Sequence, residues 1–392
     1  MKIYEIGTGY TPIPAQVAAA TESVVEELTK AFIAMGQPVE ILDISTAHRA
    51  PTDLPITEVN VPSVFTRSDV SLGIVHKLKR VVYSLALAAK IRKILKAAQE
   101  KVVLHFHNQY NAYFFFKTVS PKLREKALIA YTNHNGYWSL PWEETCDTMH
   151  KRYFQEIEAM KQADIVFTLN PCMQQNVAEQ LGIPAERIAP ITNGVNTAVY
   201  HPLSEEAIAS IKEEYDLAGK KVILQVGSVN ENKGQGRSVE ALAPLLKKDG
   251  DVVFAYAGGI VSQEYFDEVQ ETAQRLGVAE QVRYLGMVSP GERMNCLYNM
   301  ADATVFSSKY EGFALVCVES LSAGVPVLLC SQLAYDFGTG SLACRTSEAL
   351  SDAYASLYTE EGIALRRAAR ENAVAQYDWS SIARAYSDRM GL

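Results

Sequence analysis

Short apolar runs alternate with longer amphipathic stretches along almost the whole chain, and few folds other than parallel sheets crossed by helices accommodate that rhythm. A strand covered on both faces must be apolar throughout, whereas the helix covering it needs only one apolar stripe. The first half predicts strands at 2–6, 39–42, 102–106, 128–131, 165–168 and 188–191. The second half predicts them at 222–226, 252–257, 282–285, 303–306 and 327–329. A length of 392 residues exceeds one ordinary core and predicts two α/β domains. The rhythm breaks over 193–217, at Asn193-Gly194 and His201-Pro202, before a new strand begins at Lys221. The expected domains are therefore residues 1–200 and 201–376, followed by a closing helix over 377–392 entered through Asp378 or Ser380.

Charged residues make up 21% and hydrophobic residues 48%, an ordinary globular balance. The six cysteines are scattered without a Cys-x-x-Cys pair, which predicts reduced thiols in a cytoplasmic protein and neither a disulfide framework nor a zinc site. The chain opens directly on a strand, so no signal peptide is expected, and no apolar run is long enough to span a bilayer. Residues 1–200 hold 20 Lys/Arg against 19 Asp/Glu, and the remainder 17 against 26. That acidic balance excludes a general nucleic-acid binder.

Chemistry concentrates where strands give way to helices. Residues 307–326 place Glu311 in a loop after one strand and Glu319 in a helix expected over 313–323. Two carboxylates then face one loop, with the N–H groups of Gly312, Phe313, Ala314 and Leu315 open to an anion. Residues 222–237 run from a buried strand through a loop carrying Gly227, Ser228, Lys233 and Gly234 into a helix that carries Arg237. Glycines there let backbone approach a ligand, and Lys233 supplies a cation for phosphate. In the first half, Gly7 and Gly9 follow the opening strand, and 105–108 (His-Phe-His-Asn) and 132–138 (Thr-Asn-His-Asn-Gly-Tyr-Trp) end two later strands. Ligands bind beyond such carboxyl ends in open α/β sheets.

Taken together, Gly227…Lys233-Gly234, Glu311…Glu319, Asn193-Gly-Val and His134 resemble, in order, the motifs of the retaining glycosyltransferases of family 4. The resemblance implies two Rossmann-like domains of the GT-B type facing each other across a cleft, with the final helix crossing back to the first. It implies a nucleotide-sugar donor, UDP-sugar by family habit, held by Gly227, Ser228, Lys233, Arg237, Gly312, Phe313, Ala314, Leu315 and Glu319. Glu311, His134 and Lys233 take the catalytic roles, with Glu319 at the ribose. A glycan or lipid-linked acceptor would meet Gly7, Gly9, His107, Asn108, Tyr137 and Trp138. The implied chemistry is metal-independent transfer with retained configuration, in cell-surface polysaccharide or glycoconjugate synthesis.

The chain also departs from that pattern. The family's phosphate-contacting arginine falls on Ser228, and Arg237 is the candidate substitute. Pro14-Ala15-Gln16 stands where the family has a Gly-Gly pair, and Asn196 replaces an Asp in the hinge segment. Asp249-Gly-Asp251 reads as a turn, no His/Asp/Glu cluster has ligand spacing, and neither metal nor cofactor is expected. Residues 71–99 carry seven Lys/Arg and no acid, a pattern open to two readings: docking on an anionic membrane surface, or a solvated helix face. Three rivals stay open at this point. They are a sugar-nucleotide epimerase of the same architecture, a dinucleotide-dependent oxidoreductase whose fingerprint stops short at Gly9, and a sugar-nucleotide-binding protein without catalysis.

Overall fold

The computed structural model describes residues 1–14, 20–65, 74–331 and 335–392. The chain divides into two compact units, Met1–Gly194 with Trp379–Leu392, and Val195–Asp378. In the first, β1 (Ile3–Ile6), β2 (Val39–Ile44), β3 (Ile56–Val59), β4 (Val102–Phe106), β5 (Ala127–Asn133), β6 (Ile165–Thr168) and β7 (Ile188–Pro190) form one parallel sheet in the order β3-β2-β1-β4-β5-β6-β7. In the second, β8 (Lys221–Val226), β9 (Val252–Ala257), β10 (Val282–Tyr284), β11 (Ala303–Phe306), β12 (Val327–Leu329) and β13 (Ser341–Ala343) form another, ordered β10-β9-β8-β11-β12-β13. Both units are thus Rossmann-like α/β layers.

Among the described residues, β3 and β13 are the strands that escape the sequence pattern, for one reason. Both lie at sheet edges and are largely half-exposed, so neither needs the unbroken apolar run that marks a central strand. Each sheet reverses its strand order once, between β1 and β4 and between β8 and β11. Loops leaving the carboxyl ends of those neighbours diverge to opposite faces and leave a crevice, the place where such sheets bind ligands.

The closing helix Trp379–Met390 belongs to the first unit. Its buried residues Trp379, Ile382, Ala383, Tyr386 and Met390 recur at helical spacing and pack with Val24, Leu28 and Phe32 over Ile3, Val103 and Phe167 of the sheet. Each large side chain so buried contributes roughly 1.5–3 kcal/mol. Gly194 has to be glycine, because a Cβ there would lie 2.6 Å from the Trp379 ring. The unit boundaries fall at 194/195 and 378/379, not at 200 and 377. Val195 N–H donates to Tyr377 O (2.7 Å) and bridges Asp378, and Val195 and Tyr200 join the core of the second unit.

Candidate active site

In the second unit, the switch point between β8 and β11 gathers the residues of two loops. After Val226 the backbone passes Gly227 (φ +148°) and Gly234 (φ +74°) before the helix Gln235–Lys248. Gly258, beyond β9, approaches so closely that a Cβ would sit 2.1 Å from Gly227 O. Asn230 ties the loop by accepting from Lys233 N–H and donating to Ser228 Oγ at 2.9 Å, while Gln225 Nε2 donates to Lys233 O at 2.8 Å. The Lys233 stem lies over Gly227, and its Nζ stands 2.6 Å from Glu311 Oε1.

Arg237 sits elsewhere than the sequence reading expects. Its guanidinium donates to Glu231 O, Asn232 O and Ser307 O at 2.7–2.9 Å, so it braces both loops from behind. A group committed to three carbonyls is not poised to replace the charge missing at Ser228.

Glu311 N–H donates to the Tyr335 hydroxyl at 2.6 Å, which fixes the loop after β11. The helix that follows is Leu315–Ser322, two residues shorter at its start than expected, because Ala314 adopts non-helical backbone (φ −87°, ψ 84°). Leu315 N–H turns back to Phe313 O at 3.2 Å, so it is not an open donor. The Phe313 ring packs against Phe337 and Tyr377. Glu319 accepts from the Tyr298 hydroxyl at 2.7 Å, and Tyr200 hydrogen-bonds the same carboxyl. Burial raises the Glu319 pKa, and those two hydroxyls oppose the rise.

At the other switch point, between β1 and β4, the structure assembles a cluster that sequence spacing conceals. Glu5 lies buried in β1, with His105 Nδ1 at 3.0 Å from its Oε1 and His107 Nε2 at 2.7 Å from its Oε2. His107 Nδ1 stands 3.0 Å from His134 Nε2, and His105 Nε2 stands 2.7 Å from Thr132 Oγ1. Burial alone would raise the Glu5 carboxyl, but His105 and His107 hold it down to about 2. Burial, followed by the neighbouring His105, pushes His107 down to about 4. Burial also drives His134 well below the usual imidazole range. The ligand atoms of Glu5, His105 and His107 lie within 4.8 Å of one another, contrary to the expectation that no such cluster exists. A hundred residues separate Glu5 from its partners, so no local spacing signals it. A cation there would have to displace the protons binding both imidazoles to Glu5.

Several expected acceptor contacts belong instead to the protein interior. A Cβ on Gly7 would lie 2.5 Å from Asp43 Oδ1, and one on Gly9 (φ +77°) 2.2 Å from the Tyr83 ring. These glycines admit protein side chains, not a ligand. Asn108 caps the helix Gln109–Thr118, accepting from Tyr110 N–H and Asn111 N–H, and its amide donates to the Tyr10 hydroxyl. Trp138 is buried and donates its indole N–H to Glu156 at 3.0 Å, beside bonds from Tyr131 and Asn135 to the same carboxylate. Tyr137 is half-buried, with its ring beside that of Tyr153. Ala15 and Gln16 lie outside the described residues.

A family model described as "Glycosyltransferase Family 4" matches residues 21–199, and one described as "Glycosyl transferases group 1" matches residues 208–376. Between them they cover both units. The chain belongs to the GT-B type glycosyltransferases of family 4. This glycosyltransferase is 24% identical over 184 residues to mannosylfructose-phosphate synthase of Agrobacterium fabrum, a match covering 46% of the chain and 40% of that relative. It is 22% identical over 369 residues to the GDP-mannose:cellobiosyl-diphosphopolyprenol alpha-mannosyltransferase of Xanthomonas oryzae, covering 90% of the chain and 92% of the relative. The Anabaena Alr3699/HepE structure in complex with UDP shares the fold, with a TM-score of 0.73 at 17% identity and full coverage of both chains.

In this glycosyltransferase the basic segment is divided. Residues 71–73 lie outside the described residues, and residues 74–97 form the helix Ile74–Ala97. Lys79 donates to Tyr10 O, Arg80 lies over the Tyr10 and Tyr110 rings, and Arg92 donates to Thr118 O. Lys77, Lys93 and Lys96 are exposed and Lys90 half-exposed. Among the described residues no helix is long and apolar enough to cross a membrane. Asp249 and Asp251 pair with Lys221 and Lys220 at the amino end of the sheet, on the side away from the switch point.

Proposed function

We propose that this glycosyltransferase moves a sugar, with retained anomeric configuration, from a nucleotide donor to a hydroxyl of a glycan or lipid-linked acceptor. The observation that carries this reading is Lys233 Nζ beside Glu311 Oε1, 2.6 Å apart at the β8/β11 switch point, with Glu319 in the helix Leu315–Ser322 that follows. Lys233 and Ser228 meet the diphosphate, Glu311 the transferred sugar, Glu319 the ribose, and His134 a hydroxyl of the sugar. The acceptor oxygen bonds to the anomeric carbon as the bond to the diphosphate breaks, and the acceptor proton passes to a phosphate oxygen. Charge grows on the leaving diphosphate during that step, so a fixed ammonium favours the transition state over the ground state. No metal takes part in this scheme.

UDP-sugar is the donor we assign first. HepE was solved with UDP, whereas the Xanthomonas relative is named for GDP-mannose and a diphosphopolyprenol acceptor. A diphosphopolyprenol-type acceptor is consistent with a peripheral position on the inner membrane face, using Lys77, Lys93 and Lys96. Tyr137 is the remaining candidate for stacking on the acceptor.

A thermal-shift screen of UDP-glucose, GDP-mannose and ADP-glucose, followed by transfer assays with the stabilising donor, tests this reading. One nucleotide class should raise Tm, and Lys233→Ala should lower turnover by roughly 100-fold. No shift with any nucleotide, or Glu319→Ala with undiminished donor affinity, would overturn it. An epimerised donor without acceptor would instead indicate an epimerase.

A further inference from the structure

Four buried or half-buried groups form an unbroken chain of hydrogen bonds in the first unit: Glu5, His107, His134 and, on a side branch, His105. The chain has a direction, and it follows from counting protons. A carboxylate accepts only, so His107 must carry its proton on Nε2, which faces Glu5 Oε2 at 2.7 Å. A neutral imidazole has one N–H, so His107 Nδ1 is an acceptor. His134 Nε2 lies 3.0 Å away and must be the donor. That leaves His134 Nδ1 bare, and it has no hydrogen-bond partner among the described residues. The His105 branch is set in the same way. Its Nδ1–H donates to Glu5 Oε1, and its Nε2 accepts from Thr132 Oγ1, which lies 3.4 Å from the Tyr386 hydroxyl.

We propose that Glu5 and His107 are positioning residues that lock His134 in the Nε2–H tautomer, so that the group recognised by His134 must donate a hydrogen bond. The substrate partner is then a sugar hydroxyl, and a carboxylate or other acceptor-only group at that position is refused. The burial that keeps His107 and His134 uncharged is what gives the relay its single polarity, since a doubly protonated imidazole transmits no tautomer. Glu5 and His107 stand next to each other only because β1 and β4 pair in register, with Glu5 opposite His105. Both strands are central and their neighbours are buried, so the carboxylate cannot turn to water.

The role given to the His134 partner rests on the donor-binding reading above, whereas the tautomer itself does not. The test separates the two. Protein labelled with ¹⁵N-histidine is examined by long-range ¹H–¹⁵N correlation, with the His134 ring assigned by its loss in His134→Gln. Wild type should show His134 protonated at Nε2. Glu5→Gln has one oxygen for two imidazole donors. With its amide on His107 Nε2 it reverses His107 and drives His134 to Nδ1–H, and with its amide on His105 Nδ1 it reverses His105 instead, which the same spectra report. With His134 reversed, affinity for the stabilising sugar nucleotide should fall roughly 10–100-fold, the cost of two donors or two acceptors meeting. Affinity for the corresponding nucleoside diphosphate should stay within about twofold, because the relay does not touch it. His107→Asn keeps an oxygen near the Nδ1 position and should retain the Nε2–H tautomer. His134 protonated at Nδ1 in wild type, or a folded Glu5→Gln protein in which both His105 and His134 keep their wild-type tautomers, would overturn the relay. A reversed His134 with unchanged sugar-nucleotide affinity would overturn the role assigned to the His134 partner. A wild type that binds none of the three sugar nucleotides defeats the functional reading and leaves the tautomer result standing.

Discussion

The Tyr298 hydroxyl donates to Glu319 Oε2 across 2.7 Å, from the helix Glu292–Met300 to the helix Leu315–Ser322. This contact prepares the carboxylate before any ligand arrives. Burial raises its pKa, and the Tyr298 and Tyr200 hydroxyls pull it back. Removing one hydroxyl raises the pKa further, so the carboxylate becomes protonated at a higher pH and can no longer serve the ribose in the role proposed for it. Tyr298→Phe should therefore shift the acid limb of nucleotide affinity to higher pH, as measured by calorimetric titration between pH 5 and 8. Stability should fall by about 1–2 kcal/mol.

Trp138 offers a clean separation of packing from catalysis. Its indole N–H is one of three donors to the buried Glu156, beside the Tyr131 hydroxyl and the Asn135 amide. Trp138→Phe removes that donor and part of a buried ring. Unfolding free energy should drop by about 2–4 kcal/mol, while KM for acceptor in the surviving folded protein changes less than about twofold. A selective rise in acceptor KM with normal stability would return Trp138 to the binding surface.

Acid should weaken the first unit through its histidines. The folded pKa of His107 lies at about 4, below its ordinary 6.5, so the unfolded chain takes up the proton first. Stability is complete above about 6.5 and is lost as pH falls toward 4, on the order of 3 kcal/mol for this group. Burial shifts His134 in the same direction, whereas Glu5, held at about 2, stays ionised across that window. Denaturant titrations of wild type and His107→Asn should diverge across this range, with the shallower slope in the variant.

The proposed membrane docking rests on three exposed lysines of the helix Ile74–Ala97 rather than on all its cations. Lys77→Gln/Lys93→Gln/Lys96→Gln should reduce sedimentation with phosphatidylserine vesicles by roughly 10-fold or more, at about 1 kcal/mol per charge. Binding to phosphatidylcholine vesicles should be weak and unaltered. Equal binding of the triple variant and wild type to anionic vesicles removes the electrostatic model.

How much of the site shows in the sequence depends on how locally each residue is held. Lys233, Glu311 and Glu319 sit at strand-to-helix transitions marked by apolar runs and glycines, so the pattern alone brings them to one loop region. Arg237 misleads because its charge suggests phosphate, whereas three carbonyls from two loops claim it. Gly7 and Gly9 mislead in the same way: a glycine beside a strand looks like room for a ligand, and here it is room for Asp43 and Tyr83.

The sequence by itself determined the α/β class, nearly every central strand, the second-unit motifs and the membership they announce. Periodicity and turn chemistry are encoded over a few residues, and such information survives without coordinates. Only the tertiary structure decided the partners. Pairing β1 with β4 places Glu5 against His105 and His107 across about a hundred residues of chain. Joining β5 to the same sheet delivers His134 to that cluster. The polarity of that hydrogen-bonded chain depends on distances and burial, and these come into being only when distant strands lie side by side.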